Sequence, residues 1–159
     1  RPDEGAITGP AGSVEELLAE AGLALAGANT RQAAGDPRDD GLLTVPEIAA
    51  LDLAGTDWVV LSACETGVGA ISAPEGVLGL RRAFLAAGAR TVVTSLWKVD
   101  DAATRSWMQE LYRARLGRGR SSAEAVRDAA REVLRRRREL GLETHPATWG
   151  SFVAIGDWR

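Results

Sequence analysis

Two short apolar runs, Trp58-Val59-Val60-Leu61 and Arg90-Thr91-Val92-Val93-Thr94-Ser95-Leu96-Trp97, constrain this chain more than any other feature. Both are rich in β-branched residues, and Trp58–Leu61 is apolar without interruption. That run predicts a strand covered on both faces, the pattern of parallel sheets, and Arg90–Trp97 is expected to be the next strand. Between the two, Pro74-Glu75 opens a helical pattern carrying Val77, Leu80, Phe84 and Leu85, which Gly88 closes.

The flanking segments fit around these two strands. Ser13 with Glu16 and Thr44 with Glu47 have capping-box spacing and predict two short helices, the first over Leu17, Leu18 and Ala21. Residues 23–28 are apolar and bounded by glycine, which predicts a buried strand, and Leu42-Leu43 predicts a brief one. Thr30 to Gly41 reads as a mobile loop. Asp100 or Asp101 is expected to cap a helix with Thr104, Trp107, Met108, Leu111 and Tyr112 at helical spacing. Ser121 with Glu124 opens another helix, with Val126, Ala130, Val133 and Leu134 on one face, and Phe152 to Gly156 predicts a last strand. The alternation of strands and helices predicts one α/β domain over residues 1–159, a three-layer sandwich with a largely parallel sheet.

Composition narrows the function classes. No stretch of about 18 apolar residues exists, so no membrane span is expected. A net charge of -3 gives no general pull toward nucleic acid. One cysteine and one histidine make neither an intrachain disulfide nor a structural zinc site, and no metal or organic cofactor is implied. A reducing, cytoplasmic setting suits that cysteine usage. The chain opens on Arg1 with no leader pattern behind it, which reads as a piece excised from something longer.

In open parallel sheets, ligand sites collect beyond the carboxyl ends of the strands. Two polar stretches stand there: Ser62-Ala63-Cys64-Glu65-Thr66-Gly67 and Ser95-Leu96-Trp97-Lys98-Val99-Asp100-Asp101. Their ends are expected to face one pocket. Gly67 and Gly69 allow a sharp turn that brings backbone N–H groups toward a bound group, an arrangement suited to an oxyanion beside a thiol. Free cysteines are more often inert packing, so position alone leaves the role of Cys64 open. Asp100 and Asp101 suit helix capping as well as a substrate pocket, Glu65 a solvated loop as well as a pocket, and Trp97 the core more than a substrate platform.

LSACETGVG at 61–69, PEGVLGLRRAFLAAGARTVVTSLWKVDD at 74–101 and HPATWGSFVAIGD at 145–157 resemble the CHAT domain family of the caspase–separase group of cysteine peptidases. GLALAGAN at 22–29 and DDGLLTVPEIAALDL at 39–53 follow the same ordering, so the resemblance spans nearly the whole chain. It implies a caspase-like sandwich, incomplete at its amino end. It also implies Cys64 as nucleophile, backbone around Glu65, Thr66 and Gly67 holding the oxyanion, and a protein or peptide substrate. Ser95, Trp97, Asp100 and Asp101 would line the substrate pocket. Lys98 departs from the aspartate that separases carry in this segment, so a preference for basic P1 residues is not carried over. Family members often sit behind tetratricopeptide repeats, which implies such a sensor domain in the parent chain.

The resemblance also implies a histidine–glycine pair upstream of residue 1. His145, the one histidine here, lies in a His-Pro pair expected to serve the loop. A thiol is only a few per cent ionised at neutral pH without a basic neighbour, so this stretch alone is expected to be inactive or nearly so. Its exposed amino-terminal flank would favour self-association. A rival reading is a non-catalytic interaction or scaffold module of the same fold. A nucleotide site has only the glycines at 67 and 69 behind it, without a GxGxxG or P-loop pattern. The arginines from Arg127 to Arg138 are interspersed with Asp128 and Glu132, which predicts a solvated helix face rather than a nucleic-acid surface.

Overall fold

The computed structural model describes residues 22–29, 40–62, 74–97 and 99–159. The helix expected from Ser13, the loop expected from Thr30 as far as residue 39, and Cys64, Glu65, Thr66 and Gly67 lie outside the described residues. In chain order the elements are β1 (Gly22–Ala24), β2 (Leu42–Thr44), α1 (Val45–Ala49), β3 (Trp58–Leu61), α2 (Pro74–Ala86), β4 (Thr91–Ser95), α3 (Asp101–Tyr112), α4 (Ser122–Glu139) and β5 (Phe152–Gly156). A π-helical turn, Arg113–Gly117, widens the end of α3, and a 3₁₀ turn, Pro146–Thr148, precedes β5.

The α/β expectation holds, with a mixed sheet. β3 and β4 are parallel, with Leu61 opposite Thr94, and β5 joins the other side of β4 antiparallel, with Phe152 opposite Ser95. The direction of β5 follows from the number of helices before it. One helix, α2, returns the chain to the starting end of the sheet, so β4 runs with β3. Two helices lie between β4 and β5. The N–H of Ala123 at the start of α4 donates to Trp158 O, and Leu96 N–H donates to Ser151 O just before β5. The chain has therefore returned to the end where β4 finishes, and β5 must run back.

Helices cover both faces of this sheet. On one face Val92 and Leu61 pack with Ile48 of α1 and Leu80, Ala83 and Phe84 of α2. On the other, Val93 and Phe152 pack with Trp107 and Leu111 of α3 and with Ala125, Ala129 and Val133 of α4. The fully buried Ala114, Ala125 and Ala129 let the helix backbones approach closely. Trp107 stacks on Phe152 with ring centroids 4.2 Å apart. All five residues of β4 are buried, as the central strand requires. Burying a side chain such as Val92 or Val93 contributes about 1.5–3 kcal/mol.

The caps expected at Thr44 and Ser121 form. The Glu47 carboxylate accepts from the Thr44 N–H at 2.8 Å, and Ser121 and Glu124 bond reciprocally at 3.1 and 3.3 Å. The strand expected over residues 23–28 is shorter. β1 stops at Ala24, and Leu25 is 54% exposed. β1 pairs with β2 in a separate two-stranded ladder, so nothing among the described residues covers a longer apolar strand there.

Candidate functional site at the carboxyl ends of the parallel strands

β3 and β4 finish at the same end of the sheet because they run parallel. β3 ends at Leu61, three residues before Cys64 in sequence. At that end Ser95 is buried, 5% exposed, and its carbonyl is bound from two sides. Arg81 of α2 donates through Nη2 at 3.2 Å and Thr94 through Oγ1 at 3.3 Å. Beyond it the chain surfaces. Leu96 is 47% exposed and Trp97 40%.

Trp97 departs from the core position that its residue type favours. Its indole N–H donates to Ala147 O at 3.0 Å, across the mouth of the loop that precedes β5. That bond satisfies the polar atom at the surface, so the ring has no need to burrow for a partner. Half-buried Val99 packs instead against the α3–α4 core.

Asp100 caps α3. Its Oδ1 accepts from the N–H groups of Ala102 and Ala103 at 3.0 and 3.1 Å, with the extended backbone of a cap residue. Asp101 is exposed in the first turn. Of the pair, Asp100 is thus committed to the helix, and Asp101 keeps its carboxylate in solvent. His145 is exposed, as expected of a loop residue. Its Nδ1 accepts from Ala147 N–H at 3.2 Å and its carbonyl from Thr148 Oγ1 at 2.8 Å.

Arg81 escaped the sequence reading. Burial pulls its guanidinium below its ordinary pKa, and Nε has no hydrogen-bond partner among the described residues. The signal was present: Arg81 falls four residues after Val77 and three before Phe84, on the apolar stripe of α2. A charge at a core position calls for a reason.

The arginine-rich end of α4 leads back toward the same end of the sheet, where Arg137 Nε donates to Glu143 O of the loop that precedes β5. It borders a shallow groove of about 540 Å³ with Glu110, Asp128 and Glu132 among its walls. Arg135 and Arg136 hold Glu132 at 2.6 and 2.7 Å. The hydrogen bond from Arg135, helped by that from Arg136, lowers the Glu132 carboxyl from 4.5 to about 2. These arginines are neutralised along their own helix, as a solvated face would be. Among the described residues no cluster of three or more His, Cys, Asp or Glu side chains could hold a metal ion. None of their helices is long and apolar enough to cross a membrane.

The CHAT domain family model matches residues 9–157. The chain belongs to the CHAT domain family. It is also 33% identical over 120 residues to Tetratricopeptide repeat protein 28 of Homo sapiens and to its counterpart of the same name in Mus musculus. That stretch covers 76% of this CHAT domain chain and 5% of each relative. The chain therefore spans a small fraction of the length of these tetratricopeptide repeat proteins. The described crest of this CHAT domain comprises Ser62, Ser95–Trp97 and the Asp100–Asp101 turn.

Proposed function

We propose that this CHAT domain is the Cys-bearing part of a caspase-like cysteine endopeptidase, with Cys64 as its nucleophile. The observation that carries the reading is the parallel pairing of β3 and β4. It brings the strand that runs into the Ser-Ala-Cys-Glu-Thr-Gly motif to the same end as an exposed, hydrogen-bonded Leu96–Trp97 edge, where open α/β sheets take ligands. Helices on both faces suit a caspase-like sandwich.

In this reading the Cys64 thiolate attacks the scissile carbonyl carbon. Backbone N–H groups of Glu65, Thr66 and Gly67 hold the oxyanion. The C–N bond breaks as a histidinium protonates the leaving amine, and water then hydrolyses the thioester. In this reading the histidine comes from outside these 159 residues, and His145 serves its own loop, its Nδ1 accepting from Ala147 N–H. These residues alone would then lose about 10²–10⁴-fold in rate. Ser95, Trp97, Asp100 and Asp101 border the substrate pocket. A tetratricopeptide sensor domain in the same parent chain, a cytoplasmic setting and self-association of the piece through its amino-terminal flank complete the proposal.

A non-catalytic scaffold of the same fold is the second reading, and it would share every element described above. Iodoacetamide labelling of the protein that carries this chain, beside peptide cleavage by it and by Cys64→Ala, separates the two. Rapid labelling and cleavage lost in Cys64→Ala are expected. A Cys64 that labels no faster than a free thiol, with cleavage unchanged in Cys64→Ala, would leave only the scaffold.

A further inference from the structure

Exposed apolar side chains scattered over a surface carry no message, and this chain has several, including Leu116, Leu140 and Trp158. Leu96 and Trp97 differ in being adjacent and in being held from several directions. Arg81 Nη2 binds Ser95 O at 3.2 Å from α2. Leu96 N–H binds Ser151 O at 2.7 Å from the β5 side. Trp97 Nε1 binds Ala147 O at 3.0 Å.

Ala147 is itself held in place. Its N–H donates to His145 Nδ1 at 3.2 Å, while Thr148 Oγ1 donates to His145 O and Gly150 N–H to Pro146 O, both at 2.8 Å. The peptide unit that carries the Ala147 N–H is thus anchored by histidine, and the next carbonyl along holds the indole. The result is a large ring with its polar edge satisfied and 40% of its surface in water. A rigid, pre-satisfied aromatic binds an apolar partner with little further loss of entropy. The neighbouring acidic option is weaker, because Asp100 is engaged with two N–H groups of α3.

We propose that Trp97, with Leu96, is the specificity-determining platform of this site. It selects polypeptides with a large apolar or aromatic side chain near the scissile bond, and His145 is the positioning residue that holds the platform through Ala147. The proposal rests on the Cys64 reading for what happens to the peptide, but not for which peptide binds.

The test uses the protein that carries this chain and a position-scanning hexapeptide library. Cleavage is expected to favour Phe, Trp or Leu at one position. Trp97→Ala should lower kcat/KM for those peptides about tenfold, a typical loss for an aromatic anchor, and leave peptides with small residues there unchanged. Trp97→Phe should retain most of the preference. His145→Ala should raise KM with kcat kept, and His145→Asn, whose side-chain oxygen can accept the Ala147 N–H, should restore it. A preference for charged residues, or equal losses for all peptides in Trp97→Ala, overturns the platform.

The library is also titrated for binding onto Cys64→Ala, with Leu96→Ser as a second variant should Trp97→Ala not fold. Absence of any Cys64-dependent cleavage sinks the peptidase reading alone. Apolar peptides bound selectively, and lost in Trp97→Ala or Leu96→Ser, still uphold the platform, whereas binding indifferent to either variant overturns it.

Discussion

The two ends of β4 are built differently. At its amino end the chain is sealed by backbone. Arg90 N–H donates to Thr56 O at 3.0 Å, Asp157 N–H donates to Arg90 O at 2.8 Å, and Thr91 Oγ1 donates to Asp157 O. Gly156 fits there at φ 107°, where an added Cβ would stand 2.3 Å from Arg90 O. At its carboxyl end lie a buried cation without a carboxylate partner among the described residues, two exposed apolar side chains and an aspartate used as a cap. One end spends its interactions on closing turns. The other keeps features that stability by itself would remove, which is where a binding site is expected in such sheets.

The largest effect that can break this contrast is at the sealed end. Gly156→Ala forces a side chain into a left-handed conformation and onto a carbonyl, and should cost about 3 kcal/mol, roughly 6–12 °C in Tm. Thermal melts followed by circular dichroism measure it, and a loss below about 1 kcal/mol would show that this end is not tightly closed. At the other end Asp100→Ala should cost about 1 kcal/mol by removing the α3 cap, while Asp100→Asn, itself a good cap, should be close to neutral. If Asn proves as costly as Ala in the same melts, the charge matters for more than capping.

Arg81→Met sharpens the contrast further. It exchanges a buried cation for an apolar chain of similar length, and should leave Tm unchanged or raise stability by up to about 1 kcal/mol. A loss as large as that of Gly156→Ala would mean that Arg81 belongs to the stabilising frame. The smallest effect tests the ion pairs along α4. The Glu132 carboxyl, held at about 2 by Arg135 and Arg136, is depressed by folding. Its contribution is therefore present above its ordinary value of 4.5 and fades as pH falls from there through 2. The Tm gap between the native protein and Glu132→Gln should shrink over that window. Because the cluster faces solvent, the gap is expected to be small throughout.

Legibility followed the range of the interactions involved. Asp100, Thr44 with Glu47, and Ser121 with Glu124 could be read because each cap joins groups two or three residues apart. Trp107 and Leu111 could be read from helical spacing. Trp97 could not, since its hydrogen-bond partner lies 50 residues away. Arg81 offered only a charge on an apolar stripe, and what it binds, Ser95 O, belongs to another element. The candidate nucleophile Cys64 was legible by motif alone.

The amino-acid sequence by itself determined where α1, α3 and α4 open and that the chain is α/β with family membership, because capping, periodicity and motif are local. Only the tertiary structure decided that β5 runs antiparallel, that β1 ends at Ala24, that Arg81 is buried and that Trp97 faces water. Burial and strand direction depend on which distant segment packs alongside, and no short stretch of sequence contains its own neighbours.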